Sequence, residues 1–250
     1  TPGDPFIITR PTRPYAQEVN APTEHFRIAW TTDSWQPGAS MDSEVVHCVE
    51  QVVSECERLG HELIKASPVF DYEEYLRATC IAWSFGLYTG MEMFAAMTGR
   101  KISEETLEPV MLSFYNYSKG LTAADIFMTE FVLNKFRRTF GKFFEQYDML
   151  LTPTLVRLPE PIGKYTKMRT DIDYVGYMRL CDGVRIHPPA ANVTGQPAIS
   201  LPLGQSQSGL PIGVQFMARF GEESALIRLA SSFEKEMPWH DRIPPVHVSR

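Results

Sequence analysis

The chain has 250 residues, 24 Lys and Arg against 30 Asp and Glu for a formal net charge of −6, and 44% hydrophobic residues. That composition excludes collagen-like and wholly disordered chains, and the length allows one large domain or two small ones with a core that needs neither metal nor disulfide. The acidic balance argues against nucleic acid as the main partner. No apolar run approaches the roughly 18 residues of a membrane-spanning helix, so no membrane partner is expected.

In chain order, residues 1–25 carry Pro2, Pro5, Pro11, Pro14 and Pro22 and are predicted to be an extended linker ahead of one domain over 26–250. The opening Thr1-Pro2-Gly3-Asp4-Pro5 has neither block of a secretory signal. Phe26-Arg27-Ile28-Ala29-Trp30 is predicted to be a short strand. Asp42 suits a helix N-cap, with Glu44 in the first turn. Val45, Cys48, Val49, Val52, Cys56 and Leu59 then repeat at helical spacing up to Gly60. His61-Glu62-Leu63-Ile64-Lys65 follows as a second strand, and this order of strand, helix and strand predicts a parallel pairing.

Three helices come next. Asp71 caps one running toward Thr98. Thr106 is assigned the cap of the second, with Pro109 in its first turn, Val110, Met111, Phe114 and Tyr117 inward, and Gly120 as its end. Thr122 and Asp125 form a capping box for the third, whose inward stripe is predicted as Met128, Val132, Phe136, Phe140 and Phe143. Lys135, Arg137, Arg138 and Lys142 on its other faces read as a solvated surface. Met149-Leu150-Leu151-Thr152, stopped by Pro153, is a buried strand. Residues 157–190 read as aromatic loop with one short helix over 174–181. Strands at 198–202 and 213–218 and an amphipathic helix at 222–237 complete the prediction. The fold class is therefore α/β, with a mixed, partly parallel sheet flanked by helices.

Cys48, Cys56, Cys80 and Cys181 show neither zinc nor disulfide spacing, which predicts reduced thiols and a cytoplasmic protein. His25, His47, His61, His187, His240 and His247 show no metal spacing, so neither metal nor cofactor is expected. Nucleophile signatures are equally sparse. Ser232-x-x-Lys235 matches a catalytic spelling but sits in an amphipathic helix, and Thr1 would be an N-terminal nucleophile without a rigid support. His187 stands apart because Arg185-Ile186-His187-Pro188-Pro189 leads toward a strand, and loops at strand ends carry function disproportionately.

Two segments carry a family likeness. The first is Asp148-Met149-Leu150-Leu151-Thr152-Pro153-Thr154. The second runs from Asn192-Val193-Thr194-Gly195-Gln196-Pro197-Ala198 through Ser200 and Pro202 to Gly209-Leu210-Pro211-Ile212-Gly213-Val214-Gln215. With the Glu-rich last helix, Pro238-Trp239 and Pro244-Pro245, the ordered set resembles the carboxyl-terminal half of the amidase signature family, and Pro2-Gly3-Asp4-Pro5 resembles the connector after its catalytic signature. The resemblance implies a serine amidohydrolase acting on a linear or cyclic carboxamide. Its nucleophilic Ser, cis-peptide Ser and Lys belong to the amino-terminal half and match no residue here, so no catalytic residue is assigned and the chain alone is expected to be inactive.

What the resemblance leaves to this chain is pocket wall: Cys80 and Trp83 from the first long helix, and His187, Pro188 and Asn192 from the segment ahead of the Asn192 turn. The partners implied are a small amide and the amino-terminal half of the same enzyme. Two other readings stand beside this one. A glutamine amidotransferase component would need a charged cradle, for which Arg179, Asp182 and Arg185 are the nearest candidates, and an assembly module would form a homodimer through uncovered edges and faces.

Overall fold

A computed structural model describes residues 8, 10–244 and 246–248. Thr1, the Pro2-Gly3-Asp4-Pro5 connector and Pro245 lie outside the described residues. The elements in chain order are α1 (Tyr15–Glu18), β1 (Arg27–Trp30), α2 (Ser43–Arg58), β2 (Glu62–Lys65), α3 (Tyr72–Thr98), α4 (Pro109–Lys119) and α5 (Ala123–Gln146). Then come β3 (Met149–Pro153), α6 (Tyr174–Arg185), α7 (Pro188–Thr194), β4 (Ala198–Gln205), β5 (Pro211–Ala218) and α8 (Glu223–Glu236).

The strands form one mixed sheet in the order β2-β1-β3-β5-β4. β1 runs parallel to both β2 and β3, which is the predicted parallel pairing, and β5 is antiparallel to β3 and β4. Because successive strand side chains point to opposite faces, the sheet splits its apolar residues between two cores. Ile28, Met149, Leu151, Val214 and Phe216 pack with α2 and α8. Ala29, Leu150 and Met217 face the other way, against a layer that contains α3, α5 and α6. Coverage of both faces explains why all five residues of β3 are buried.

Helix starts follow the capping chemistry. Asp42 Oδ1 accepts from Glu44 N at 2.9 Å, Asp71 Oδ1 from Glu74 N at 3.0 Å, and Thr122 and Asp125 close a capping box in both directions. Thr106 does not cap α4. Its hydroxyl is engaged with the carbonyls of Lys101 and Ser103, and α4 begins at Pro109 after Glu108, whose side chain makes no cap bond. Met128 is exposed rather than inward, because the first turns of α5 extend past the core and Thr129 is the first side chain there to be buried. Lys135 and Arg137 pair with Glu74 and Glu130 at the surface, as a solvated face would.

Two further differences shape the site. The segment 157–190 holds not one short helix but α6 through Arg185 and the start of α7 at Pro188, a residue type whose fixed φ suits a first helical turn. β4 runs through Pro202 to Gln205. Proline is tolerated there because β4 is an edge strand and its register with β5 shifts between Leu201 and Gly204. Residues 15–18 are helical rather than extended, and Glu18 is buried.

Candidate functional site

The junction of α6 and α7 sits over the carboxyl ends of β1 and β3, where open α/β sheets bind ligands. Val156, just beyond β3, donates its N–H to the Val184 carbonyl at 2.9 Å. His187 Nε2 lies 3.2 Å from the carbonyl of Asp33, just beyond β1. Asp173 opens α6 by accepting from Gly176 N at 2.7 Å. α7 ends at Gly195, whose φ of +76° is the left-handed turn expected of glycine, and whose N–H bonds back to the Ala191 carbonyl at 2.8 Å.

Against this junction lies the middle of α3, and the three helices enclose a cleft of about 120 Å³. Tyr75, Thr79 and Trp83 line it at four-residue intervals along α3. Met178, Asp182 and Arg185 face them from α6, and Pro188, Pro189 and Asn192 complete it from α7. Roomier grooves lie elsewhere among the described residues, of about 630 Å³ beside α4, about 610 Å³ over residues 100–106 and about 430 Å³ beside the end of α3. The small cleft stands out because it collects buried polar groups with perturbed protonation, and such groups mark functional sites.

Three of the five wall residues expected from sequence, Trp83, Pro188 and Asn192, meet in this cleft. Cys80 and His187 stand behind it. Cys80 is fully buried, its carbonyl accepts from Tyr174 Oη at 3.1 Å, and burial pushes its thiol up to about 12, so it is a neutral packing group. His187 is also fully buried and edge-on to Trp35, with ring centroids 4.6 Å apart. Burial lowers its pKa to about 4 despite the nearby Asp33 and Pro153 carbonyls, so the imidazole is neutral.

Sequence reasoning did not select Tyr75 or Thr79, and it set Asp182 and Arg185 aside for a different reading. Asp182 is 4% exposed and accepts from Tyr72 Oη at 3.3 Å. Desolvation raises its pKa to about 6, with Arg185, the Tyr72 hydrogen bond and Arg179 pulling the other way. A signal was present: Tyr174, Met178 and Asp182 recur every four residues on the buried stripe of α6, so a carboxylate stands where an apolar residue would be expected. Among the described residues no three His, Cys, Asp or Glu side chains come together to hold a metal ion. No helix among them is long and apolar enough to cross a membrane. Ser232 and Ser118 are structural: Ser232 Oγ bonds Thr23 Oγ1 and the Arg228 carbonyl, and Ser118 Oγ donates to the Phe114 carbonyl.

A mixed sheet between helical layers, with a partly apolar cleft at the carboxyl ends of its parallel strands, is the architecture of an α/β enzyme domain. The particular family follows from comparison: the sequence model described as Amidase matches residues 3–227, and the chain belongs to that family. It is 26% identical over 248 residues to a 6-aminohexanoate-cyclic-dimer hydrolase of Pseudomonas sp. strain NK87, covering 97% of this chain and 50% of that protein. It is 31% identical over 221 residues to one component of the glutamyl-tRNA(Gln) amidotransferase of Thermodesulfovibrio yellowstonii, covering 82% and 44%. The solved structure of a 6-aminohexanoate cyclic dimer hydrolase complexed with substrate superposes with a TM-score of 0.83 at 25% identity, over 98% of this chain and 52% of that one. A bacterial aryl acylamidase shares the fold at a TM-score of 0.77 and 15% identity, over 94% and 48%. The chain thus spans about half the length of the relatives it matches.

Proposed function

We propose that this chain is the substrate-facing, carboxyl-terminal portion of a serine amidohydrolase that cleaves a linear or cyclic carboxamide. The observation that carries the reading is the cleft between α3, α6 and α7, whose partly apolar lining joins Trp83 to the helix preceding Gly195 in a chain that belongs to the amidase family. The serine, the cis-peptide serine and the lysine of the family chemistry would come from an amino-terminal half, and the match to half of each relative supports that arrangement. In such a reaction the serine oxygen attacks the amide carbonyl, the tetrahedral oxyanion is held by fixed donors, and the amine leaves with a proton. This chain contributes the wall that orients the amide, with Trp83 and Pro188 against its hydrocarbon part and Asn192 as a polar contact. Cys80 and His187 set the shape of that wall from behind.

Turnover of a panel of linear and cyclic aliphatic amides by this chain alone, and again in a complex with the amino-terminal half of a relative, tests the reading. No hydrolysis by the chain alone and recovery in the complex are expected. Hydrolysis by the chain alone would show that the nucleophile lies among these 250 residues and overturn the proposal.

The amidotransferase reading has less support from the cleft. Arg179, one of its three candidate residues, is turned to the surface and held by Glu73 in two hydrogen bonds of 2.5 and 2.7 Å. Self-association has support of a different kind, since Met93, Phe94 and Met97 on α3 and Phe127, Met128 and Phe131 on α5 are exposed. A homodimer predicts doubled mass in light scattering; a monomer that binds no apolar dye would exclude it.

A further inference from the structure

The second half of α3 is apolar and largely uncovered. From Cys80 to Thr98 it carries one charged residue, Glu92, yet Leu87 is 45% exposed and Phe94 65%. Contiguous exposed apolar surface marks interaction sites. Here it forms one side of the groove of about 430 Å³ beside the end of α3. Leu87, Met91 and Phe94 supply its apolar side chains, and Gly86 and Gly90 deepen it, because a Cβ at either would meet nothing within 4 Å. The opposite rim is the loop after α3, which turns at Gly99 with φ of +67° and brings Ile102 back against the groove. Thr106, the hydroxyl that does not cap α4, holds that loop in shape: it donates to the Lys101 carbonyl at 2.6 Å and accepts from Ser103 N at 3.0 Å.

The polar content of the groove narrows what it takes. Both of its hydroxyls are engaged within the protein, Thr106 as above and Thr98 by donating to the Phe94 carbonyl at 2.8 Å. That leaves the exposed Arg100 and Lys101 at one end. Among the described residues neither joins an ion pair, whereas Arg169 is held by Asp171. The acidic residues of this region face elsewhere. Glu92 bonds the Tyr115 hydroxyl on α4, and Glu104 and Glu105 line only the adjoining groove over residues 100–106, on whose shared ridge Arg100 and Lys101 stand. A ligand that fits therefore has an apolar body and one anionic end. At roughly 30 Å³ per water-sized group, the volume holds about fourteen non-hydrogen atoms, which is a single chain of about ten to twelve carbons with its carboxylate. A small inorganic anion would leave the apolar floor unused, and a cationic chain would be repelled by Arg100 and Lys101.

We infer that this groove binds a medium-chain fatty carboxylate, its chain laid along Gly86, Gly90 and Phe94 and its head group on Arg100 and Lys101, where a guanidinium presents paired donors to a carboxylate. The groove shares no lining residue with the cleft between α3, α6 and α7, so the inference does not rest on reading that cleft as substrate wall.

The experiment titrates decanoate, decyltrimethylammonium and acetate into the full chain by calorimetry, each below the concentration at which it forms micelles. At low salt decanoate should bind at least about tenfold more tightly than decyltrimethylammonium, a preference that shrinks as salt screens the exposed cations. Acetate should give no heat. Gly90→Leu puts a side chain into the groove where the added Cβ meets nothing, so it should abolish decanoate binding and preserve the melting temperature. Arg100→Gln combined with Lys101→Gln should weaken decanoate about tenfold and remove the preference for the anion. This rim variant decides alone if Gly90→Leu lowers the melting temperature. Absence of decanoate binding, an unchanged affinity in a stably folded Gly90→Leu, or equal affinity for the cationic probe would overturn the inference. A chain that is dimeric in light scattering and becomes monomeric in Gly90→Leu would make a second copy the occupant and overturn it as well.

Discussion

Glu18 and Arg228 stand 210 residues apart in the chain and meet in a buried ion pair of 2.7 Å. Glu18 is 1% exposed and also takes Arg13 through two hydrogen bonds of 2.6 and 2.8 Å. Arg228 reaches Glu24 with its other terminal nitrogen at 3.2 Å. Together with Ser231 Oγ, which donates to the Val19 carbonyl at 2.6 Å, these contacts strap the segment ahead of β1 onto α8. The strap fixes the direction from which the chain enters the sheet.

Hydrogen bonds from Arg13 and Arg228 hold the Glu18 carboxyl down to about 2, from an ordinary 4.5. A carboxylate with a lowered folded pKa stabilises fully above its ordinary value, and that contribution disappears as pH falls toward the folded one. Glu18→Gln should therefore lower the melting temperature at pH 7 and open residues 13–24 to protease, with the difference from wild type shrinking between pH 4.5 and about 2. Glu18→Gln combined with Arg228→Met should recover part of the loss, because removing both partners leaves no uncompensated buried charge. Melts and limited proteolysis read both effects, and a double variant no better than the single one would count against the pairing.

His187 makes the fold acid-sensitive at a higher pH. Its folded pKa of about 4 lies below the ordinary 6.5, so the unfolded chain takes up a proton first as pH drops. Stability is complete above pH 6.5 and falls through the window down to pH 4, by about 3 kcal/mol for a shift of this size. His61, lowered by desolvation, acts in the same direction. Asp182 acts in the opposite one, since its raised folded pKa favours the fold at low pH and loses that contribution through about 6. Denaturant titrations at pH 7.5 and 5 should show a smaller pH-dependent loss in His187→Gln than in wild type. Equal losses would mean that His187 already carries a proton in the folded state.

The four thiols should separate by reactivity. Burial raises Cys48 to about 11 and Cys56 and Cys80 to about 12, and all three are enclosed, whereas Cys181 is partly accessible. Iodoacetamide followed by mass spectrometry should modify Cys181 first, with the other three reacting only as the molecule unfolds. Early modification of Cys80 would mean that the cleft wall opens under native conditions.

Gly204 is required by a close approach between β4 and α2. A Cβ built there falls well inside contact distance of Cys48 Sγ and lies 3.2 Å from the Cβ atoms of Cys48 and Ile212. Gly204→Ala should cost about 1–3 kcal/mol, the range for overpacking a closed core. In a double-mutant cycle, Cys48→Ala should relieve part of that cost, because it removes the sulfur that the new methyl meets. Strict additivity in urea titrations would show that the strand moves instead.

Much of the scaffold was legible because it depends on local chemistry. The Asp42 and Asp71 caps, the Thr122–Asp125 box and the alternating Met149-Leu150-Leu151 strand all act through neighbours a few residues away. The α6–α7 region was less legible. Pro188-Pro189 reads as a helix breaker yet stands in the first turn of α7, and the stripe of α6 includes the polar Asp182. Thr106 failed as a cap because nearer carbonyls engage its hydroxyl.

The wall of the cleft divides the same way. The order of motifs from Asp148 to Gln215 determined the family, and the spacing of Cys80 and Trp83 put both on α3, in the segment that faces the junction. Only tertiary packing decided that Cys80 is sealed while Trp83 is 48% exposed. Packing likewise brought Tyr72 to Asp182 across 110 residues and left the Tyr75 hydroxyl and Arg185 Nε without hydrogen-bond partners. Caps and periodicity are set by covalent neighbours, whereas burial and hydrogen-bond completion depend on which distant segment arrives alongside, and no local pattern specifies that arrival.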